Sequence, residues 1–445
     1  MDILMKLNTK QTVLVGFAFL AISAFWQMYD NLVPLILTNT FDINKTFSGA
    51  IMAADNVLAL FLLPIFGTIS DKSKNPLGRR RPFILRGTIV AVILMMGLPI
   101  LDNSYAANPA PVKAIAFIAI LGILLITMGT FRSPAVALMP DITPKPLRSK
   151  ANAIINLMGA IGGIIYLVLT TIISPKSSDG SHVNVLPLFA IVAGIMLISL
   201  FIIMFFVNEP KLVRQQLAYE EAHPEQNLTK TTENKKEYMP PAVRRSLIFM
   251  LLSVALWFIG YNGITTWFSV YAQQVWNMKL GDATLCLTVA TAGAIASYIA
   301  VGIIASHIGR RRTIKFGAAL LSSCFFVAFI YTLLSDKFSP LLLILFVLVG
   351  VAWASINVNS LPMVVEMCKG SDVGKFTGLY YTSSMTAQIV TPIVAGWLLE
   401  NVGYKTLFPY SAVFVALSYV TMCFVRHGDN KIEAKVGIEA FDIDD

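Results

Sequence analysis

Residues 64–85 read PIFGTISDKSKNPLGRRRPFIL, and they join two apolar runs, 46–69 and 83–101. Each run is close to the ~20 residues that one helical crossing of a bilayer needs. The motif Gly-Arg-Arg-Arg at 78–81 recurs at 309–312, again just after an apolar run, 282–305. The recurrence indicates that one membrane unit occurs twice in the chain.

Composition agrees with a chain that crosses the membrane many times. The chain has 445 residues, of which 56% are hydrophobic and only 13% are charged. Soluble domains carry about a quarter charged residues, so a soluble protein with one anchor is excluded. Twelve apolar runs predict an all-α membrane protein with twelve transmembrane helices: 13–37, 46–69, 83–101, 113–139, 151–173, 185–207, 246–274, 282–305, 314–334, 341–365, 377–400 and 406–425.

Basic residues concentrate in alternate loops between these runs, whereas the opposite loops hold isolated lysines such as Lys45, Lys176, Lys279 and Lys337. By the positive-inside rule, we expect a multi-pass protein of the cell membrane with both termini cytoplasmic. The net charge of +9 then follows from topology, and no nucleic-acid partner is expected.

The longest polar stretch, 208–245, predicts a cytoplasmic linker between two six-helix halves, 1–207 and 246–425, followed by a tail, 426–445. The two copies of Gly-Arg-Arg-Arg come after the second run of each half. This placement favours a parallel 6+6 repeat, which puts a substrate site near the membrane centre between the halves. Alternatively, the Gly-Arg-Arg-Arg motif is only a stop signal that ends a membrane helix on the cytoplasmic side.

The stretch Pro64 to Asp71, followed by Gly-Arg-Arg-Arg-Pro-Phe-Ile at 78–84, resembles the loop after the second span in transporters of the major facilitator superfamily. More narrowly, it is similar to the plant-type sucrose symporters and their relatives. A second match is Ala-Leu-Met-Pro-Asp-Ile-Thr at 137–143, with Arg148 and Ala-Asn-Ala at 151–153 behind it. The resemblance implies the major facilitator fold and a sugar:cation symporter.

In that superfamily the loop motif acts as a cytoplasmic latch that forms and breaks as the halves rock. The resemblance carries this gating role to Gly67, Asp71, Gly78, Arg79, Arg80, Arg81, Asp141 and Arg148. In the second copy Ser306 stands where the first has Asp71, so we expect that copy to lack its carboxylate.

Asp30, Asp55 and Arg132 are ionisable residues well inside predicted spans. Each costs roughly 2.5 to 3.5 kcal/mol at a helix centre, which makes them candidates for cation coupling. Helical rise places Arg132 on the order of 10 Å along the membrane normal from either aspartate, so a direct ion pair requires shifted helices or long-side-chain reach. The alternative is a charge network that only holds helices together.

The plant sucrose symporters have an aspartate in span four and an arginine before the Ala-Leu motif, where this chain has Leu125 and Val136. A coupling route through Asp30 or Asp55 instead resembles the bacterial melibiose-type cation symporters. Because a carboxylate in a partly dry cavity can take a proton from one side and release it on the other, the coupling ion is expected to be H⁺, with Na⁺ as the alternative.

Neutral hydrogen-bonding and aromatic side chains recur at helical spacing along several spans. Sugars present hydroxyls and apolar C–H faces, which such side chains can bind. The predicted substrate site contains Trp26, Gln27, Asn56, Asn156, Trp257, Tyr261, Asn262, Thr265, Trp353, Asn357, Tyr381 and Gln388. For each residue the alternative is ordinary helix packing, which is also our interpretation of Gly159, Gly162 and Gly163.

These observations favour a sugar:proton symporter that works by alternating access. Alternatives are a proton-coupled exporter of drugs or other small molecules and a non-transporting sugar sensor. An enzyme is not expected, because the four histidines lie in loops or at span edges and no cluster marks a metal or nucleophile site. No GxxxxGK[ST] loop indicates ATP, so no cofactor is expected. A monomer in the lipid bilayer is implied by the family.

Overall fold

The computed structural model describes residues 8–144, 147–173, 182–222, 239–367 and 373–429. A π-helical turn, Ile36–Thr40, extends the first helix, and a 3-10 turn, Tyr404–Thr406, precedes the last. Within the described residues there are thirteen α-helices: α1 (Thr9–Leu35), α2 (Lys45–Asp71), α3 (Arg81–Ala107), α4 (Pro111–Ile142), α5 (Arg148–Ile173), α6 (Leu186–Phe206), α7 (Glu209–Ala222), α8 (Pro241–Trp276), α9 (Leu280–Ile308), α10 (Arg310–Leu334), α11 (Leu342–Glu366), α12 (Val373–Asn401) and α13 (Leu407–Cys423).

The predicted all-α membrane architecture is confirmed. Each of the twelve apolar runs forms a long helix, and α7 is an additional short helix within 208–245. By length and composition, eleven helices of the described residues could cross a membrane. The remaining long helix, α12, has 29 residues but carries Thr382, Ser383, Ser384, Thr386 and Gln388, which lower its apolarity.

The two sets of six helices pack in the same way. In the first set α1 contacts α5, α2 contacts α4, and α3 contacts α4 and α6. In the second set α8 contacts α12, α9 contacts α11, and α10 contacts α11 and α13. The equivalence makes the repeated Gly-Arg-Arg-Arg the mark of a structural repeat, since it precedes or opens α3 and α10, the third helix of each set.

The two sets meet through α2 with α12, α5 with α9, and α1 with α8. We call the end of the bundle where α1 begins and α13 ends the terminus face, and the opposite end the distal face. α1 is the most buried of the candidate spans because it lies in the centre of its set and also contacts the other.

At the distal face the backbones of α2 and α12 come into direct contact. A Cβ on Gly49 would lie 2.1 Å from the carbonyl oxygen of Pro392, and a Cβ on Gly396 would lie 2.3 Å from that of Lys45. Only a residue without a Cβ permits this approach. Trp267 Nε1 donates to the same Pro392 oxygen at 3.1 Å, so α8 also joins this contact.

Polar pairs close the same face. The backbone N–H and the Nζ of Lys45 both donate to Glu400 Oε2 at 2.9 Å. Deeper in the bundle, Asn31 Nδ2 donates to Ser269 Oγ at 2.8 Å. The two sets are thus held together at the distal face.

Candidate functional site

A cavity of about 850 Å³ lies between the two sets of helices. Its walls come from α1, α2 and α4 on one side and from α8, α11 and α12 on the other. It extends from Asp30 and Pro392 to Pro140, which is two residues before the end of α4. Val136 in its wall is 41% exposed. The cavity therefore approaches the terminus face and stops below the distal contacts.

All three intramembrane charged residues line this cavity. Asp55 Oδ1 accepts a hydrogen bond from Asn56 Nδ2 at 2.8 Å. The guanidinium of Arg132 lies 5.6 Å from the ring centroid of Trp26. Among the described residues, the Asp30 carboxylate has no hydrogen-bond partner, and no ion pair joins Arg132 to either aspartate. The helical rise indicated this separation, and the three charged side chains instead face the same cavity.

The structure brings most of the predicted substrate residues together. Those that line the cavity are Trp26, Asn56, Asn262, Thr265, Trp353, Asn357, Tyr381 and Gln388. Gln27, Asn156, Trp257 and Tyr261 are not part of its wall. Trp257 is only 1% exposed and packs in the hydrophobic core. Helical spacing groups residues on one face, but it does not say which neighbour that face meets.

Tyr261 supports the wall from behind. Its ring stacks on Trp353 with centroids 3.7 Å apart and planes 6° apart. Phe258, which does line the cavity, meets the same indole edge to face at 5.4 Å. The Trp353 ring is therefore held between two aromatic side chains, which leaves it preorganised as a flat platform.

Two polar wall residues were not identified from the sequence. Ser133 Oγ donates to the Leu63 carbonyl at 2.8 Å, which links α4 to α2. The hydroxyls of Tyr380 and Ser360 are 2.8 Å apart, which links α12 to α11. Ser133 follows the predicted residue Arg132, and Tyr380 precedes the predicted residue Tyr381. Side chains of consecutive helical residues point about 100° apart, so their place in the sequence did not predict that they face the cavity.

The predicted latch residues also come together, at the terminus face of the first set. Arg80 Nε donates to Asp141 Oδ2 at 2.7 Å, and its other nitrogens reach Asp71, Ser70 and the Gly67 carbonyl. One arginine thus ties the ends of α2 and α4 to the start of α3.

Arg148 takes up another position in the same region. Its Nη2 donates to the Pro140 carbonyl at 2.9 Å and its Nε to the Thr143 carbonyl at 3.1 Å. The side chain therefore satisfies carbonyl groups at the end of α4, where a positive charge is favourable.

Glu209, at the start of α7, is a part of the latch that the sequence analysis missed. Its carboxylate accepts the backbone N–H groups of Arg79 at 2.6 Å and of Arg80 and Arg81 at 3.0 Å each. It occupies the space that a Cβ on Gly78 would need, and that glycine has φ +113°. A carboxylate directly after the apolar run 185–207 was the available signal.

The second copy lacks the carboxylate equivalent to Asp71, because Ser306 stands at that position. It nevertheless has another acid, since Arg310 pairs with Glu366 at the end of α11. Arg311 donates to the Cys423 carbonyl at 2.8 Å, as Arg81 donates to the Met204 carbonyl in the first copy. The acid comes from the fourth helix of the set, whose proximity to the loop is a tertiary contact.

This paired set of helices, latches and central cavity agrees with the comparison to known families. The sequence model of the Major Facilitator Superfamily matches residues 15–337 and 276–440. The chain belongs to the Major Facilitator Superfamily. It is accordingly a multi-pass membrane protein, as the apolar runs predicted.

Sequence relatives of the chain include plant proteins. The sucrose transport protein SUC3 of Arabidopsis thaliana is 33% identical over 146 residues, which is 30% of this chain and 24% of that protein. The sucrose transport protein SUT3 of Oryza sativa subsp. indica is 33% identical over 147 residues, or 30% of this chain and 28% of that protein. The match thus spans about a quarter of the length of these relatives.

Solved structures share the fold of the chain. The inward-open xylose transporter XylE from E. coli superimposes with a TM-score of 0.67 at 15% identity, covering 96% of this chain and 97% of that one. At this identity the likeness establishes the fold alone.

Proposed function

We propose that the transporter is a sugar:proton symporter whose substrate is a glycoside or disaccharide. The observation that carries the proposal is the central cavity, in which the only fixed charges of the described wall are Asp30, Asp55 and Arg132. The similarity to sucrose transport proteins supports a sugar substrate, and a D-xylose–proton symporter has the same fold, with a TM-score of 0.64.

The rest of the wall suits a neutral polyhydroxylated substrate. Asn262, Asn357 and Gln388 offer amide donors and acceptors, and Thr265 offers a hydroxyl. Trp353 provides an aromatic platform for the C–H face of a pyranose ring. A volume of about 850 Å³ accommodates a disaccharide with water.

The carboxylate contacts assign different roles to the two aspartates. Asp55 is fixed by Asn56 and lies within electrostatic range of Arg132. Asp30 has no such partner among the described residues, so its carboxylate is free to bind and release a proton. With one proton on Asp30, the charges of Asp55 and Arg132 cancel and the wall is neutral. A neutral sugar moving with one proton therefore crosses without a buried net charge.

The arrangement supports alternating access. In our proposal the terminus face is cytoplasmic, the membrane is the cell membrane, and the observed state is inward-facing. The halves, 1–207 and 246–425, are joined by the linker 208–245, and the tail is 426–445. They open at the distal face by breaking the contacts of Gly49 and Lys45. The transporter acts as a monomer.

The test is uptake of labelled hexoses and disaccharides, including sucrose and maltose, into proteoliposomes with and without an inward proton gradient. We expect gradient-driven accumulation of at least one disaccharide. In Asp30→Asn, accumulation is lost while exchange of internal for external sugar persists, because exchange needs no net proton movement. The matched control is Asp336→Asn, at an exposed distal position, which leaves both unchanged.

Three results would contradict the proposal. Accumulation driven by Na⁺ alone would replace the proton with sodium. Accumulation that survives Asp30→Asn would remove that residue as the carrier. Absence of uptake for every sugar, with the protein folded, would refute the sugar assignment and favour an exporter.

A further inference from the structure

A second cavity, of about 370 Å³, lies at the terminus face of the second half, away from the transport cavity. It is formed by the end of α9, the start of α10 and the segment after α13. Its polar lining residues are Ser306, His307, Arg311, Arg312, Lys315 and Asp429. We call it the basic pocket.

The first half shows which group occupies the position that corresponds to the basic pocket. In the first half, the start of α3 is occupied by the Glu209 carboxylate, which accepts three successive backbone N–H groups beside the arginine triplet 79–81. The pseudo-equivalent place in the second half is the start of α10, beside the triplet 310–312. An anion is thus the observed occupant of one copy.

Within the described residues, no side chain accepts a hydrogen bond from the backbone N–H groups of residues 310–312 at the start of α10. Asp429 takes the place that Glu209 takes in the first copy, with its Oδ2 2.8 Å from where a Cβ on Gly309 would lie, but unlike Glu209 it accepts no backbone N–H there. It follows the end of α13 by six residues, whereas Glu209 follows the end of α6 by three, so the chain path differs.

Charge is also unbalanced in the second copy. The first triplet contacts three carboxylates, those of Asp71, Asp141 and Glu209. In the second copy Glu366 neutralises Arg310, while Arg311, Arg312 and Lys315 in the basic pocket face one carboxylate, that of Asp429. The excess of about two positive charges matches the charge of a phosphate monoester, about −1.5 to −2.

Two of these cations are held in place. Arg311 donates to the Cys423 carbonyl at 2.8 Å, and Lys315 Nζ lies 6.0 Å from the ring centroid of Tyr419. Such anchoring reduces the entropy lost when an anion binds. The start of a helix adds free N–H groups and a favourable dipole.

We propose that the basic pocket binds a phosphate monoester, supplied either by the headgroup of an anionic lipid or by a soluble phosphate ester. The pocket is at a membrane face, where basic pockets between helices can take lipid headgroups. The site is separate from the sugar cavity, so its test does not depend on the transported substrate.

The lipid arm uses native mass spectrometry of the full-length protein in detergent, titrated with phosphatidic acid and, separately, with phosphatidylcholine. We expect one tightly retained phosphatidic acid and no equivalent retention of phosphatidylcholine. Arg312→Gln with Lys315→Gln lowers the affinity about 25-fold, since each basic residue contributes about fivefold. The matched control is Lys211→Gln with Arg214→Gln, at exposed positions of α7 on the same face.

The soluble arm measures thermal stabilisation of delipidated protein by inorganic phosphate. Stabilisation that is lost in the pocket variant identifies a soluble phosphate as a ligand, whereas retention of phosphatidic acid alone identifies the lipid. Asp429→Asn strengthens binding in either arm, because it removes the opposing charge. Equal losses in pocket and control variants would overturn the proposal, as would weaker binding in Asp429→Asn. No preference over phosphatidylcholine, together with no stabilisation by inorganic phosphate, would also overturn it.

Discussion

The close backbone contact at Gly49 gives a direct test of the closed distal face. A Cβ at this position would lie 2.1 Å from the Pro392 carbonyl oxygen and 2.5 Å from its carbon. Carbon–oxygen contacts in proteins begin at about 3.3 Å, so α2 and α12 must separate by more than about 1 Å in Gly49→Ala. Overpacking of this kind costs about 1–3 kcal/mol, and only in the state where the two backbones meet. The closed state should therefore lose population by about 5- to 150-fold relative to the distally open state.

Electron–electron double resonance measures this shift. Spin labels at Asn108→Cys and Lys337→Cys, both exposed beside the distal face, report its opening in a background with Cys368 and Cys423 replaced by serine. Gly49→Ala should move the distance distribution to longer values. The control is Gly122→Ala on α4, where an added Cβ meets nothing within 4 Å. An unchanged distribution in a folded Gly49→Ala protein with normal uptake would refute the reasoning.

Three further predictions follow from single contacts. Glu209→Ala should lower the free energy of unfolding by about 3 kcal/mol, because it strands several buried N–H groups, and thermal melting should detect this while the exposed Glu221→Ala melts normally. Trp353→Ala should weaken sugar binding by roughly 1 kcal/mol, about fivefold, in a binding titration, and an equal loss in Trp397→Ala, which is 50% exposed, would contradict a specific platform. Glu400→Gln should open the distal face less than Gly49→Ala in the same spin-label measurement, because a partly exposed ion pair is worth about 0–1 kcal/mol; a larger shift would reverse that ranking.

The contacts of the predicted latch residues show which interactions a local sequence motif can predict and which it cannot. Asp71, Arg80 and Asp141 belong to recognisable sequence motifs, and their side chains do contact one another in the fold. Glu209 and Glu366 belong to no motif, yet Glu209 binds the arginine triplet 79–81 and Glu366 pairs with the triplet 310–312. Their partners are about 130 and 56 residues away in the chain, and no periodicity encodes contacts across such separations.

The residues of the proposed sugar site were also only partly predictable from the sequence, for another reason. Hydropathy reports which residues avoid water, but a residue in a membrane span can face lipid, a neighbouring helix or an internal cavity. Trp257 and Trp353 were equally plausible as platforms from spacing alone. The rotation of α8 and α11 about their axes buries the first and exposes the second to the cavity, with Tyr261 stacked behind it.

The sequence by itself determined the helices, the repeat and the family. The bilayer sets the length of each apolar run, and each motif is a short continuous stretch of sequence. It also identified Asp30, Asp55 and Arg132, since charge inside a span is costly enough to be informative alone. Tertiary structure decided which face is closed, which polar side chains share a cavity, and which carboxylates neutralise the arginine triplets. These depend on how helices rotate and approach one another, which is governed by contacts such as that of Gly49 with Pro392, 343 residues further along the chain.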